Sequence, residues 1–120
     1  MTAKQLATAV ATALTEKRGL DIRVLDLTEM HAFTDMFVIA SATSDRHAQT
    51  LADAVVEAAR ALGERPLGVE GQQTGRWILI DLGNVVAHVL QREARERYAL
   101  DRLWGDAETL EWPIAVGDGA

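Results

Sequence analysis

Apolar residues recur every four positions near the start of the chain, at Leu6, Val10 and Leu14, with Ala9 and Ala13 widening the stripe. That period gathers them on one helical face and predicts a helix over residues 3–17. Lys17 and Arg18 suit the negative end of its dipole, and Gly19 stands where a left-handed cap is expected. Branched residues dominate 20–27 and again 35–41, which predicts two strands. A second helix is expected over 44–62, capped by Ser44 and ended by Gly63, with Leu51, Val55, Ala58 and Leu62 on its buried side. Pro66 and Gly68 punctuate the next segment, around a short strand near 67–70. Segments 76–82 and 85–90 flank Gly83 and Asn84, residues that accept the positive φ of a tight hairpin turn. Two short helical pieces are expected over 93–104.

Helices before and after pairs of strands argue an α/β fold, a mixed sheet of about five strands packed with helices. The direct hairpin is antiparallel by necessity, so the sheet is not purely parallel. A chain of 120 residues makes one domain, read as 1–105, followed by an acidic tail over 106–120 expected to be loosely ordered.

Charge narrows the choice of partner. The chain carries −6, and four acids (Asp106, Glu108, Glu111, Asp118) lie in its last fifteen residues, where there is no Lys or Arg. Such a balance disfavours phosphate backbones and direct sequence-specific nucleic-acid binding, and it suits a basic protein. Absence of cysteine excludes disulfides and thiolate chemistry, and His31, His47 and His88 form no ligand-spaced pair, so no metal or other cofactor is expected. No apolar run is long enough to span a membrane, and the start of the chain lacks signal-peptide character; a cytoplasmic protein is expected, or a mature protein already past a targeting step.

Alternation along 76–82 puts Trp77, Leu79 and Asp81 on one face, and Ile78, Ile80 and Leu82 on the other. The second face is the better core. The first carries a tryptophan beside a carboxylate, which suits a half-wet recognition surface, although helices on both sides would make Trp77 core. Tyr98, Leu100, Leu103 and Trp104 form another apolar group; Tyr98 is expected to be exposed and Trp104 structural. Thr43-Ser44-Asp45-Arg46-His47 has two readings, an anion or base site and a helix start capped by Ser44 with Arg46 in an ion pair, and the second is preferred. Nucleotidyl transfer needs paired carboxylates to hold Mg²⁺. Asp26, Asp35 and Asp81 lack an acid two residues away, Asp21 and Asp26 fall on opposite strand faces, and no phosphate-binding glycine motif is present. An enzyme is the weaker class.

Several segments occur in order: Asp35-Met-Phe-Val-Ile-Ala40, Thr43-Ser-Asp-Arg-His47, Leu51-Ala-Asp-Ala-Val55, Gly68-Val-Glu-Gly71, Arg76-Trp-Ile-Leu-Ile-Asp81, Gly83-Asn-Val-Val-Ala-His88 and Tyr98-Ala-Leu-Asp-Arg-Leu-Trp-Gly-Asp106. Together they closely resemble the ribosomal silencing factor, or Iojap-related, family over roughly residues 3–106. The resemblance implies a nucleotidyltransferase-like fold without its metal-binding carboxylates, and no catalysis. It also implies binding to the large ribosomal subunit through ribosomal protein L-fourteen, with joining of the small subunit blocked, and a homodimer when free. Matching positions imply Trp77 and Tyr98 as contacts, supported by Leu82, Leu100, Glu70 and Asp101. Ala42 stands where the family has glycine, and Ala99 where an acidic or polar residue is common.

Overall fold

Residues 1–30, 33–99 and 107–110 are described by a computed structural model. Thr2 opens helix α1 (Ala3–Glu16): its hydroxyl accepts from the Gln5 backbone N–H, and the Gln5 side chain accepts from that of Thr2. Leu6, Val10 and Leu14 are buried as their period predicts, but Ala7 and Ala11 accompany them, not Ala9 and Ala13. Period alone does not say which neighbour of a stripe turns inward; here the small residues let α1 lie against both the sheet and the second helix.

The end of α1 also departs from expectation. Arg18 N–H donates to Thr15 O (3.0 Å) and Gly19 N–H to Leu14 O (2.7 Å), a Schellman turn in which Arg18, at φ 64°, is the left-handed residue. Glycine serves one position later for space, since a Cβ on Gly19 would lie 3.0 Å from the Leu14 carbonyl oxygen. A left-handed conformation costs an L-residue roughly 1–2 kcal/mol. Arg18→Gly is therefore expected to raise stability by about 0.5–1 kcal/mol after glycine's extra unfolded-state entropy is subtracted. A denaturant midpoint that fails to rise would refute this.

Strands β1 (Leu20–Asp26) and β2 (Met36–Ala42) come next, separated by a 3₁₀ turn at Thr28–Met30. Ala42 continues β2, opposite Gln91, so no glycine-dependent turn is needed there. Helix α2 (Asp45–Ala61) starts at Ser44, whose hydroxyl accepts from His47 N–H (3.0 Å), and ends with Gly63 at φ 80°. Its buried line is Ala48, Leu51, Ala52, Val55 and Ala59; Ala58 is half-buried and Leu62, the C-terminal cap, is 41% exposed. Strands β3 (Gly68–Glu70), β4 (Trp77–Asp81) and β5 (Val85–Gln91), helix α3 (Arg92–Tyr98) and strand β6 (Glu108–Leu110) complete the order. Of the two helical pieces expected over 93–104, α3 is the first; the second falls outside the described residues.

The sheet has six strands among the described residues, in the order β3-β4-β5-β2-β1-β6, and only β2 and β5 are parallel. Helix α2 carries the chain from the centre of the sheet to its edge, and two antiparallel returns bring β5 back beside β2 in the same direction. That path explains the mixed sheet. Strand β6 comes from the segment read as tail: it pairs antiparallel with Val24, Leu25 and Asp26, satisfying what would otherwise be an open edge of β1.

Alternation divides the sheet into two faces. On one, α1 and α2 cover Val24, Val38, Ala40, Ile78, Ile80, Leu82 and Val89 in the main core. Full burial of each of the larger of these side chains contributes about 1.5–3 kcal/mol. On the other, Leu25, Phe37, Ile39, Val86 and Leu90 form a smaller cluster, joined by Ala94 of α3. Among the described residues no helix is long and apolar enough to cross a membrane.

Candidate functional site: an aromatic sheet face

Strand register builds this second face in transverse rows. Glu70 of β3 lies opposite Leu79 of β4, Leu79 opposite His88 of β5, His88 beside Ile39 of β2, and Ile39 opposite Arg23 of β1. One row therefore runs from an acidic residue on the edge strand β3, through Leu79, His88 and Ile39, to a basic residue on β1. In the next row Trp77 faces Leu90, placing the indole diagonally over His88.

Five rings form a line across this face. Phe33 and Phe37 lie 6.0 Å apart between centroids, Phe37 meets His88 edge-on at 4.5 Å, His88 lies 6.0 Å from Trp77, and Trp77 lies 4.8 Å from Tyr98. The two ends are open: Phe33 is 74% exposed and Tyr98 52%. Trp77, Leu79 and Met30 are half-buried along the line. Aromatic bulk that is partly wet and contiguous on one sheet face is the composition of an interface centre.

Trp77 is held from beneath. Its Nε1–H donates to His88 Nδ1 at 3.1 Å, which makes Nδ1 the acceptor and puts the imidazole proton on Nε2. His88 is buried, and Nε2 has no hydrogen-bond partner. Burial pushes the imidazole down to about 4 from its usual 6.5. Neutral His88 is thus an acceptor that fixes the plane of the indole. Behind β4, Gly71 (φ 88°) lets the chain pass close over the Trp77 backbone.

The residues singled out from sequence separate clearly. Trp77 and Tyr98 are in contact, and Glu70 joins their face through Leu79. Leu82 does not: it is 5% exposed and packs in the main core under the helices, because it shares the parity of Ile78 and Ile80. Leu100, Asp101 and Trp104 lie outside the described residues. Phe33, Phe37 and His88 were not singled out as site residues. Phe37 and His88 had a signal in strand parity, but joining them to Trp77 requires the order of β2, β5 and β4.

At the Thr43–His47 junction the capping reading holds. His47 Nδ1 accepts from Thr43 N–H (3.0 Å), and Nε2 contacts Lys17 O (2.9 Å), so the ring ties the start of α2 to the end of α1. Arg46 is exposed and forms no ion pair among the described residues, contrary to expectation. Among the described residues no three His, Cys, Asp or Glu side chains gather as a metal site would require.

Fold and site together define a small mixed α/β domain that presents an aromatic sheet face. The family described as "Ribosomal silencing factor during starvation" matches residues 1–118, and the chain belongs to it. That match extends past Asp106 into the segment read as tail. The ribosomal silencing factor of Bacillus subtilis is 36% identical over 107 residues, covering 89% of this chain and 91% of that protein. A mouse protein named for mitochondrial assembly of the ribosomal large subunit is 33% identical over 94 residues, covering 76% of this chain and 41% of its own length. The fold is also similar to the crystal structure of a Chromobacterium violaceum protein, with a TM-score of 0.85 at 28% identity, covering 96% of this chain and 95% of that one.

Proposed function

We propose that this chain is a non-enzymatic translational repressor of the cytoplasm that binds the large ribosomal subunit through ribosomal protein L-fourteen and sterically blocks joining of the small subunit. The partly exposed Trp77–Tyr98 pair carries this reading, at one end of the aromatic line on a face that the two long helices leave open. Family membership and the large-subunit name of the mouse relative support a ribosomal partner. Acidic Glu70 at one edge suits a basic protein, with charge steering the encounter and the rings holding it. Asp101 and Leu100 belong to the same proposed contact set. Leu82, buried under the helices, supports β4 and is not proposed to touch the partner.

Tyr98→Ala is the clean test, since Trp77→Ala also removes the donor to His88. Truncating an aromatic anchor of the contact is expected to weaken binding by about 2 kcal/mol, roughly thirtyfold. Co-sedimentation with separated subunits is expected to show binding to large subunits alone, reduced in Tyr98→Ala. Equal binding by parent and variant would remove this face from the contact, and no binding to either subunit would remove the function.

The free protein is proposed to form a homodimer through the same apolar face, because a self-complementary patch suits a two-fold contact. Dimer and ribosome then compete. A crosslinked dimer is expected to bind large subunits poorly; undiminished binding would show that the two surfaces differ.

A further inference from the structure

Beyond the aromatic rings, where β1 and β2 meet the inner side of α3, lies a cleft of about 630 Å³. Arg23, Arg92 and Arg95 line it, against the carboxylates of Asp21 and Glu96. Among the described residues its lining is therefore net cationic, in a chain whose net charge is −6. Its arginines come from two elements far apart in sequence and are brought together only by the fold.

The cleft is built as well as charged. Ser41, 1% exposed, places a hydroxyl where the preceding residues of β2 on this face are Phe37 and Ile39. Arg95 Nη1 donates to that hydroxyl at 2.9 Å and to Asp21 O at 2.6 Å, which fixes the guanidinium plane in the wall. The Asp21 carbonyl is turned by a bulge in β1 between Leu20 and Arg23, with Asp21 at φ 47°. Ala99, at φ 49°, lines the same cleft. Ala99 takes its positive φ as the left-handed cap that ends α3, so the strained position bordering the cleft is Asp21. A bulge with a strained residue of this kind is common beside ligand sites.

From this geometry we infer that the cleft binds the phosphate of a small organic ligand of about mononucleotide size. Guanidinium forks match phosphate oxygens in pairs. The volume falls within the roughly 300–1,000 Å³ of small-molecule sites, too large for an inorganic ion alone. Asp21 and Glu96 offer acceptors for hydroxyl or amino groups on the rest of the ligand. A polynucleotide is the poorer fit, because tracking a backbone takes a basic stripe along a surface, and here the arginines converge in one concavity flanked by acids.

Calorimetry and amide-shift mapping on the full chain, with pyrophosphate, AMP and a short RNA oligomer as probes, test this. Pyrophosphate and AMP are expected to bind saturably, AMP the more tightly, with shifts at Asp21, Arg23, Ser41 and Arg95. Arg92→Gln and Arg23→Gln are each expected to weaken AMP about tenfold, the loss of one charge-assisted contact. Arg60→Gln, on α2 outside the cleft, is expected to bind like the parent. Absence of saturable binding, shifts mapping elsewhere, or undiminished affinity in both cleft variants would overturn the assignment. RNA binding more tightly than AMP would overturn it in favour of a polynucleotide. None of these outcomes depends on whether the protein binds ribosomes.

Discussion

Gly71→Ala is expected to lower folding stability by about 3 kcal/mol or more, at the upper end of single-residue effects. Two costs combine. Gly71 has φ 88°, a conformation that L side chains rarely adopt. An added Cβ would also overlap the Trp77 carbonyl oxygen and lie 3.0 Å from the Trp77 carbonyl carbon. The obstacle is backbone within β4, which cannot swing aside as a side chain can. The loop itself is tied down on its far side: Gln49 donates to Gln72 O (3.1 Å), and Gln91 Nε2 to Gly75 O (3.0 Å). Urea unfolding is expected to show a lower midpoint with an unchanged slope. Gly68→Ala is the control, since nothing lies within 4 Å of its Cβ position; its effect is expected to stay within about 0.5 kcal/mol. A Gly71→Ala change as small as the control's would mean that the loop relaxes, and that Trp77 is not fixed from behind by this approach.

Acid is expected to destabilise the fold through His88. Its imidazole is pushed down to about 4 by burial, from 6.5. Above pH 6.5 the ring is neutral in both folded and unfolded chains, and its contribution is fully present. As pH falls from 6.5 towards about 4, the unfolded chain takes up a proton that the folded chain refuses, so stability drops through that window and levels off below it. The size of the loss is about 3 kcal/mol. Burial is the cause, since the ring is buried in a site that water does not reach; a second proton on Nδ1 would also point at the Trp77 N–H, donor against donor. His88→Asn places an amide oxygen near the Nδ1 position and does not titrate. Unfolding of parent and variant at about pH 7.5 and about pH 4.5 is expected to diverge at the lower value, with the parent losing more. Parallel losses in the two proteins would assign the acid sensitivity to carboxylates elsewhere.

Both results concern how one tryptophan is held, and sequence showed only half of that. Alternation along β4 correctly divided Trp77, Leu79 and Asp81 from Ile78, Ile80 and Leu82, because the two-residue period of a strand is a local property of its backbone. Capping at Ser44 and the end of α2 at Gly63 were legible for the same reason: each is settled within about five residues. Local reasoning failed where two local solutions were equally good. Arg18 or Gly19 could take the left-handed position, and Ala7 or Ala9 could turn inward; packing chose between them. Strand β5 is buried along nearly its whole length, so parity puts His88 with Val86 and Leu90 but only the strand order puts that face beside Trp77.

By itself, the sequence determined the element types, most of their ends, the mixed character of the sheet and, through ordered motifs, the family. Those come from backbone periodicity, turn chemistry and residue identity, all of which act over a few positions. Tertiary structure alone decided the strand order that lines up Phe37, His88 and Trp77, the sixth strand that closes the edge of β1, and the cleft that gathers Arg23 and Arg95 beside Ser41. Each joins residues separated by tens of positions. Register between such segments is set by the path α2 takes across the sheet and by which surfaces exclude water together.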